Sequence, residues 1–142
     1  MILFDTNVVL DLLLDREPFS SQAAQLFTLI ETGKLSGCIC ATTVTTVHYL
    51  SVKVAGSRLA REHIKKLLTL FEIAPVNRSV LETALKLKFK DFEDAVVHEA
   101  ARQVGAQGIV TRNTRDFKIA KISIYTPEEL LHMLHARIKT DA

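Results

Sequence analysis

Short apolar runs alternate along this chain with longer segments in which apolar residues recur at helical spacing. The first run, residues 2–4, ends at Asp5 and a polar turn, which is typical of a strand buried on both faces of a parallel sheet. Four more runs predict strands at residues 37–41, 72–76, 108–111 and 122–125. The pattern therefore predicts an α/β fold, a three-layer sandwich with a central, mostly parallel sheet of about five strands and helices on both faces.

The segments between these runs carry helix signals. The spacing predicts helices over residues 8–14, 20–32, 59–71, 92–104 and 127–138. Thr42 and Thr43 are placed to cap a further helix that ends at Gly56, and Ser79 with Glu82 forms a capping-box pattern before another. We expect one domain over residues 1–142, with residues 139–142 frayed at the C-terminus.

Composition narrows the function only slightly. The formal net charge is +2, which permits a nucleic-acid partner without indicating one. No apolar run approaches the roughly 20 residues of a membrane helix, and no basic segment precedes an apolar stretch as in a signal peptide. We therefore expect a cytoplasmic protein with no membrane association.

Three aspartates are candidates for chemistry. Asp5 ends the first strand, Asp94 lies in the first turn of the helix over 92–104, and Asp116 follows the strand that ends at Thr111. Open α/β folds place ligands at the carboxyl edge of the sheet, so these side chains are expected to meet there. Close carboxylates repel one another unless a proton or cation lies between them, and Mg²⁺ prefers such oxygen ligands. The alternative for Asp5 is a simple helix cap.

Three stretches resemble the PIN domain, in their usual order and over nearly the whole chain: FDTNVVLD, DFEDAVVHEAA and IVTRNTRDF. The DFEDA form and the closing YTPEELL resemble a bacterial subgroup of PIN proteins. The resemblance implies a metal-dependent endoribonuclease that hydrolyses RNA phosphodiesters with Mg²⁺ or Mn²⁺. Many members of the family are VapC-type toxins that an antitoxin protein holds inactive, so the resemblance implies such a toxin-antitoxin pair.

The resemblance also assigns roles to residues. The metal carboxylates of the family map onto Asp5, Asp94 and Asp116, and Asn7 and Thr111 match polar positions that orient the first and last of them. Most PIN nucleases carry a glutamate on the helix after the second strand.

This chain offers His48 near that position, as a ligand to a softer metal, as a hydrogen-bond partner of the attacking water, or as a core histidine. The missing acid keeps a second function open, a catalytically weak or inactive PIN-fold module that binds RNA or protein.

The remaining candidates have two interpretations each. Asp91 is the expected N-cap of the helix over 92–104, or it holds a metal-bound water, whereas Glu93 is expected to be solvated. Asp11 faces the site only in a minority interpretation. The substrate-binding candidates are Arg112, Asn113 and Arg115, because they share a loop with Asp116.

The other lysines near the acids are more typical of a solvated face. Residues 8–14 and 59–71 are candidates for a homodimer face or an antitoxin groove, although core packing explains them equally well.

Overall fold

The computed structural model describes the backbone of residues 1–141 and the side chains of residues 1–140. The described strands are β1 (Ile2–Phe4), β2 (Gly37–Cys40), β3 (Glu72–Ala74), β4 (Gly108–Val110) and β5 (Ser123–Tyr125). The described helices are α1 (Thr6–Leu13), α2 (Ser20–Glu31), α3 (Ala41–Ala55), α4 (Ser57–Leu70), α5 (Arg78–Lys86), α6 (Phe92–Gln103) and α7 (Pro127–Asp141). A short 3₁₀ helix, η1 (Thr114–Phe117), follows β4.

The strands form one sheet in the order β3-β2-β1-β4-β5, and every neighbouring pair is parallel. Successive side chains of a strand point to opposite faces, so Ile2 and Phe4 enter one core layer while Leu3 enters the other. Phe4 packs edge-to-face against Phe27 and Phe71, with ring centroids 5.9 and 5.1 Å away. The predicted α/β sandwich is therefore confirmed.

The two layers use different helices. Buried residues of α1, α2, α3, α4 and α7 pack on the Phe4 side of the sheet. Buried residues of α5 and α6, with Phe117 of η1, pack on the Leu3 side. Within the described residues, no helix combines the length and the hydrophobicity needed to cross a bilayer.

The strand order reverses direction between β1 and β4. The chain adds β2 and then β3 on one side of β1, and returns to place β4 on the other side. In such sheets a crevice opens at the carboxyl ends of the two strands that flank the reversal. The backbone N–H of Asp5 donates to the carbonyl of Val110 at 3.0 Å, so the residues that follow β1 and β4 lie side by side.

Helix starts differ from the predictions at two places. α3 begins directly after β2 with Cys40 as its N-cap residue, so Thr42 and Thr43 lie inside the helix rather than capping it. The cap of α5 is Asn77, whose side chain accepts from the N–H of Val80.

The predicted cap Ser79 is helical, and its hydroxyl accepts a hydrogen bond from the amide of Gln103 at 3.2 Å. At the C-terminus α7 continues to Asp141, beyond the predicted start of fraying at residue 139; Ala142 lies outside the described residues.

The cap of α5 provides a test of the fold. Replacing Asn77 by Ala should lower the free energy of unfolding by about 1 kcal/mol, because the N–H of Val80 loses its acceptor. Ser79→Ala is the matched control, and it should cost less than about 0.5 kcal/mol because only an exposed side-chain contact is lost. Urea unfolding measures both values. A larger loss in Ser79→Ala than in Asn77→Ala would contradict this cap.

Candidate active site

Asp5 is fixed by the residues around the crevice. One of its carboxylate oxygens accepts from the backbone N–H of Thr6 at 2.9 Å, and the other accepts from the hydroxyl of Thr111 at 2.8 Å. The amide of Asn7 donates to that same hydroxyl oxygen at 3.3 Å. Asp5 is only 7% exposed. It therefore caps α1 and also presents a nearly buried carboxylate at the carboxyl end of β1.

A cavity of about 330 Å³ opens beside Asp5. Its lining includes the carboxylates of Glu93 and Asp94 from the first turn of α6, together with Thr46 of α3 and Asn113. A second cavity of about 520 Å³ contains Asp94 again, now with Asp91, Arg115 and Asp116. Asp5 and Asp116 thus line two different cavities, and Asp94 lines both of them.

The acids interact electrostatically without forming a preformed metal cage. In the part of the chain that the structure describes, no group of at least three His, Cys, Asp or Glu residues is arranged to hold a metal ion. Burial, followed by the nearby carboxylates of Asp5, Asp91, Asp116 and Glu93, raises the pKa of Asp94 to about 7. Burial also raises the pKa of Asp5, against the hydrogen bonds from Thr111 and Thr6 that favour its charged form.

The position on α3 that faces the acids is Thr46, not His48. Two residues along a helix are separated by roughly 200°, so their side chains lie on nearly opposite sides. Thr46 lines the cavity of Asp5, whereas His48 lines a separate groove between α3 and α4 with Ile64 and Leu68. The structure thus does not bring His48 to the predicted metal site. The residue of α3 that lines it is the uncharged Thr46, whose hydroxyl donates to the carbonyl of Thr42 at 3.1 Å.

Glu93 is a site residue that the sequence reasoning missed. It is exposed, as expected, but it lines the cavity with Asp5 and is the first of the charges that raise the pKa of Asp5. Val97 lies on the helical wheel between Glu93 and Asp94 and lines the same cavity, so one arc of α6 presents all three. Asp91 caps α6 as predicted, accepting from the N–H of Glu93 at 2.8 Å.

The loop after β4 is anchored by an ion-pair network. Both oxygens of Asp11 accept from the guanidinium of Arg112, at 2.6 and 3.1 Å, and Arg16 donates to Asp11 at 2.9 Å. Asp11 is 1% exposed, and its buried charge is paired with these arginines. It therefore does not belong to the acids around Asp94. Arg112 also lies over the ring of Phe19 at 3.9 Å. The guanidinium of Arg112 is therefore already engaged with Asp11 and Phe19, whereas from the sequence we expected it to be available for a phosphate.

The two other predicted substrate residues remain accessible. Asn113 is exposed in the cavity of Asp5, where its backbone N–H donates to the hydroxyl of Thr111 at 3.0 Å. Arg115 is exposed in the second cavity. The hydroxyl of Thr111 thus contacts three groups of the site and holds the start of this loop against Asp5.

His98 supports the end of the same loop from α6. Its ring is fully buried, and Nε2 accepts from the backbone N–H of Lys121 at 3.0 Å. The neighbouring ring of Phe89 lies 5.0 Å away, and Phe117 of η1 lies 5.9 Å beyond Phe89. This packing positions η1, which carries Asp116, against α6.

The fold is that of a PIN domain. A family model described as PIN domain matches residues 1–115, and the chain belongs to this family. Ribonuclease VapC1 of Aquifex aeolicus (strain VF5) is 26% identical over 133 residues, covering 90% of this chain and 91% of that protein.

Two solved structures are similar over most of the chain. One, described as a toxin-antitoxin complex from Klebsiella pneumoniae, has a TM-score of 0.68 at 25% identity and covers 89% of this chain and 98% of its own. The other, FitAcB from Neisseria gonorrhoeae, has a TM-score of 0.71 at 22% identity and covers 90% and 99%. The predicted relationship to bacterial VapC-type PIN proteins is confirmed.

The raised pKa of Asp94 predicts that the site lowers the free energy of unfolding by an amount that depends on pH. Its folded-state value of about 7 lies above the ordinary 3.8, so the folded chain holds this proton more tightly than the unfolded chain. Stability from this group therefore falls as pH rises between those two values and is constant above them. In the absence of divalent ions, Asp94→Asn should be more stable than the native chain by about 1 kcal/mol at pH 8 after solvent screening, and by less at pH 5.

Urea unfolding at the two pH values measures the difference. Asp15→Asn is the matched control, because Asp15 is exposed outside both cavities and has a φ of 48° that asparagine tolerates. The control should show no comparable change between the two pH values. Equal stability of Asp94→Asn and the native chain at pH 8 would disprove the electrostatic cost.

Proposed function

We propose that this chain is an endoribonuclease that hydrolyses RNA phosphodiesters with Mg²⁺ or Mn²⁺, and that an antitoxin protein holds it inactive. The observation that carries the proposal is the set of carboxylates around Asp94, where burial and then the neighbouring acids raise the pKa of Asp94 to about 7. The similarity to ribonuclease VapC1 and to a toxin-antitoxin complex supports the RNA substrate and the protein partner.

The donor set fits a hard divalent cation. Asp5, Asp94 and Asp116 would hold the ion, and all three supply carboxylate oxygens, the ligands that Mg²⁺ and Mn²⁺ prefer. A cation between these groups would relieve the repulsion that raises the pKa of Asp94. The side chains would have to turn toward one another, since the described residues contain no preformed group of three. When bound, such an ion polarises a phosphoryl oxygen and lowers the pKa of a coordinated water.

The remaining residues of the site would orient the substrate and move a proton. Thr111 and Thr6 hold the carboxylate of Asp5 in place through their hydrogen bonds, which favour its ionised form against the effect of burial. Glu93 is exposed in the cavity of Asp5, and its carboxylate would accept the proton of the attacking water. Asn113 and Arg115, one in each cavity, would donate to the oxygens of the phosphate.

Cleavage of RNA tests the proposal. The native chain with Mg²⁺ or Mn²⁺ should cut a fluorescent single-stranded RNA, and EDTA should stop the cutting. Asp5→Asn should reduce the rate at least about 100-fold, because even outer partners of a metal ligand cost 10- to 100-fold. Asparagine retains an acceptor for the N–H of Thr6, so the fold is expected to survive.

The matched control is Asp15→Asn, which makes the same chemical change outside both cavities and should cut at the native rate. Circular dichroism checks that each variant is folded. Undiminished cutting by folded Asp5→Asn would rule out the proposed mechanism.

A second function is favoured by one observation: the residue of α3 that lines the cavity of Asp5 is the uncharged Thr46, and no acid of α3 lines it. In that case the chain is a catalytically weak or inactive PIN-fold module that binds RNA or protein. Calorimetric titration with Mn²⁺ separates the two functions. Saturable binding that Asp94→Asn abolishes and Asp15→Asn retains is expected for the nuclease, and the absence of saturable binding is expected for the inert module.

The surface that an antitoxin or a second copy would cover also remains a proposal. Val8, Val9 and Leu10 are buried in the core, and Leu12, Leu13 and Leu14 are partly buried, so none of the leucines and valines of residues 8–14 is exposed. α4 exposes Leu59 and Leu68, which are 45% and 54% accessible. Of the two predicted segments, the one over 59–71 therefore retains the apolar surface needed for an antitoxin groove or a homodimer face.

A further inference from the structure

The cations around the proposed site are divided unequally between its two cavities. In the cavity of Asp5 the cationic side chains are Arg16 and Arg112, and both donate to the buried carboxylate of Asp11. Their hydrogen bonds with Asp11 are 2.9, 2.6 and 3.1 Å long. Arg16 has a further bond to the carbonyl of Asn7 at 3.1 Å. These arginines are thus committed to holding α1 and the loop after β4 together.

The second cavity has free cations instead. Lys88 and Lys90 line it from the loop between α5 and α6, and Arg115 and Lys118 line it from η1 and the residue that follows. All four side chains are exposed. Among the described side chains, none of the four has a carboxylate within the 4.0 Å of a salt bridge. Four positive groups therefore line a cavity that also contains Asp91, Asp94 and Asp116.

The two segments that carry these cations, the loop between α5 and α6 and the η1 region, are joined by the packing of aromatic rings. Phe89 lies between Lys88 and Lys90, and its ring packs against His98 of α6 and Phe117 of η1. Phe117 is 2% exposed, so this contact belongs to the core of the Leu3 layer. The loop and η1 are consequently anchored to the same helix. The cavity is a built cleft rather than a chance meeting of surface lysines.

We propose that this second cavity, the basic cleft of Lys88, Lys90, Arg115 and Lys118, binds the phosphates of single-stranded RNA on one side of the cleaved bond. The inference rests on the proposed function and deepens it. A strand whose scissile phosphate lies beside Asp94 passes directly into the cleft, because Asp94 lines both cavities. In the opposite direction, the cationic residues lining the cavity of Asp5 are Arg16 and Arg112, whose guanidinium groups are already hydrogen-bonded to Asp11.

The chemistry of the cleft suits a phosphate backbone. Lysine and arginine neutralise phosphates and release counterions, which makes binding depend steeply on salt. Single-stranded nucleic acids bind in such positively charged grooves through their backbone. Phe89 and the half-exposed Ile119 add apolar surface to the lining, against which a sugar or a base can lie.

Salt-dependent binding of RNA tests the cleft. We would measure the anisotropy of a fluorescent single-stranded RNA with the full chain in EDTA, over a range of KCl concentrations, so that no cutting is required. In Lys88→Ala/Lys90→Ala/Lys118→Ala the negative slope of log K for association against log salt should become shallower by about 2, since each lost phosphate contact removes about 0.7. If affinities converge near 1 M salt, this corresponds to roughly 100-fold weaker binding at 0.1 M.

The matched control is Lys34→Ala/Lys66→Ala/Lys139→Ala. It removes the same charge from exposed lysines that lie near the amino edge of the sheet, and it should keep the native slope. Thermal unfolding confirms that both triple variants are folded. An unchanged slope in the cleft variant, an equal loss in the control, or no RNA binding by the native chain would each overturn the inference.

The outcome is independent of cleavage. A native chain that binds RNA through the cleft but does not cut with Mg²⁺ or Mn²⁺ refutes the proposed nuclease and leaves the cleft standing. A chain that cuts RNA while the cleft variant keeps the native slope refutes the cleft alone.

Discussion

The hydrogen bond from the hydroxyl of Thr111 to Asp5 joins the two strands on which the site depends. It crosses the point where the strand order reverses, and its donor and acceptor are 106 residues apart in the chain. The same hydroxyl accepts from Asn7 and from the backbone of Asn113. A single buried oxygen therefore aligns the end of β1, the start of α1 and the loop that leads to Asp116. Without it, Asp5 would be a nearly buried carboxylate with one oxygen unpaired, which is costly.

The carboxylates that lie near this hydrogen bond lower the stability of the fold. Asp94 and Asp5 both have raised pKa values, chiefly because burial disfavours their ionised forms. Asp11 shows the opposite solution a short distance away, since two arginines compensate its buried charge. Asp11 is thus paired for structure, whereas Asp5 and Asp94 have no arginine or lysine partner among the described salt bridges. Uncompensated charge in a cleft is typical of functional sites, where a ligand supplies the missing counter-charge.

Much of this arrangement follows from local sequence patterns. The apolar runs before Asp5 and Thr111 predict two strands of one parallel sheet, whose carboxyl ends lie at the same edge; the structure adds that these strands, β1 and β4, are neighbours. The N-cap role of Asp91 is equally local, because it depends on the residue's own side chain and the next turn of backbone.

The details that sequence patterns missed depend on helix phase and on distant partners. α3 starts at Ala41, a little earlier than the threonine caps suggested, and phase decides which of Thr46 and His48 faces the acids. A cavity that spans a wide arc of α6 brings in Glu93, which a simple helical wheel assigns to solvent. Arg112 forms an ion pair with Asp11, which lies 101 residues away in the chain, and no local sequence pattern predicts such a pair.

Thr46 has a consequence for how the protein would respond to its surroundings. A pocket that holds a divalent ion through fewer negative groups binds it more weakly, because each carboxylate adds attraction. If the cavity beside Asp5 is an ion site, its occupancy would depend on the concentration of free divalent ions rather than being permanent.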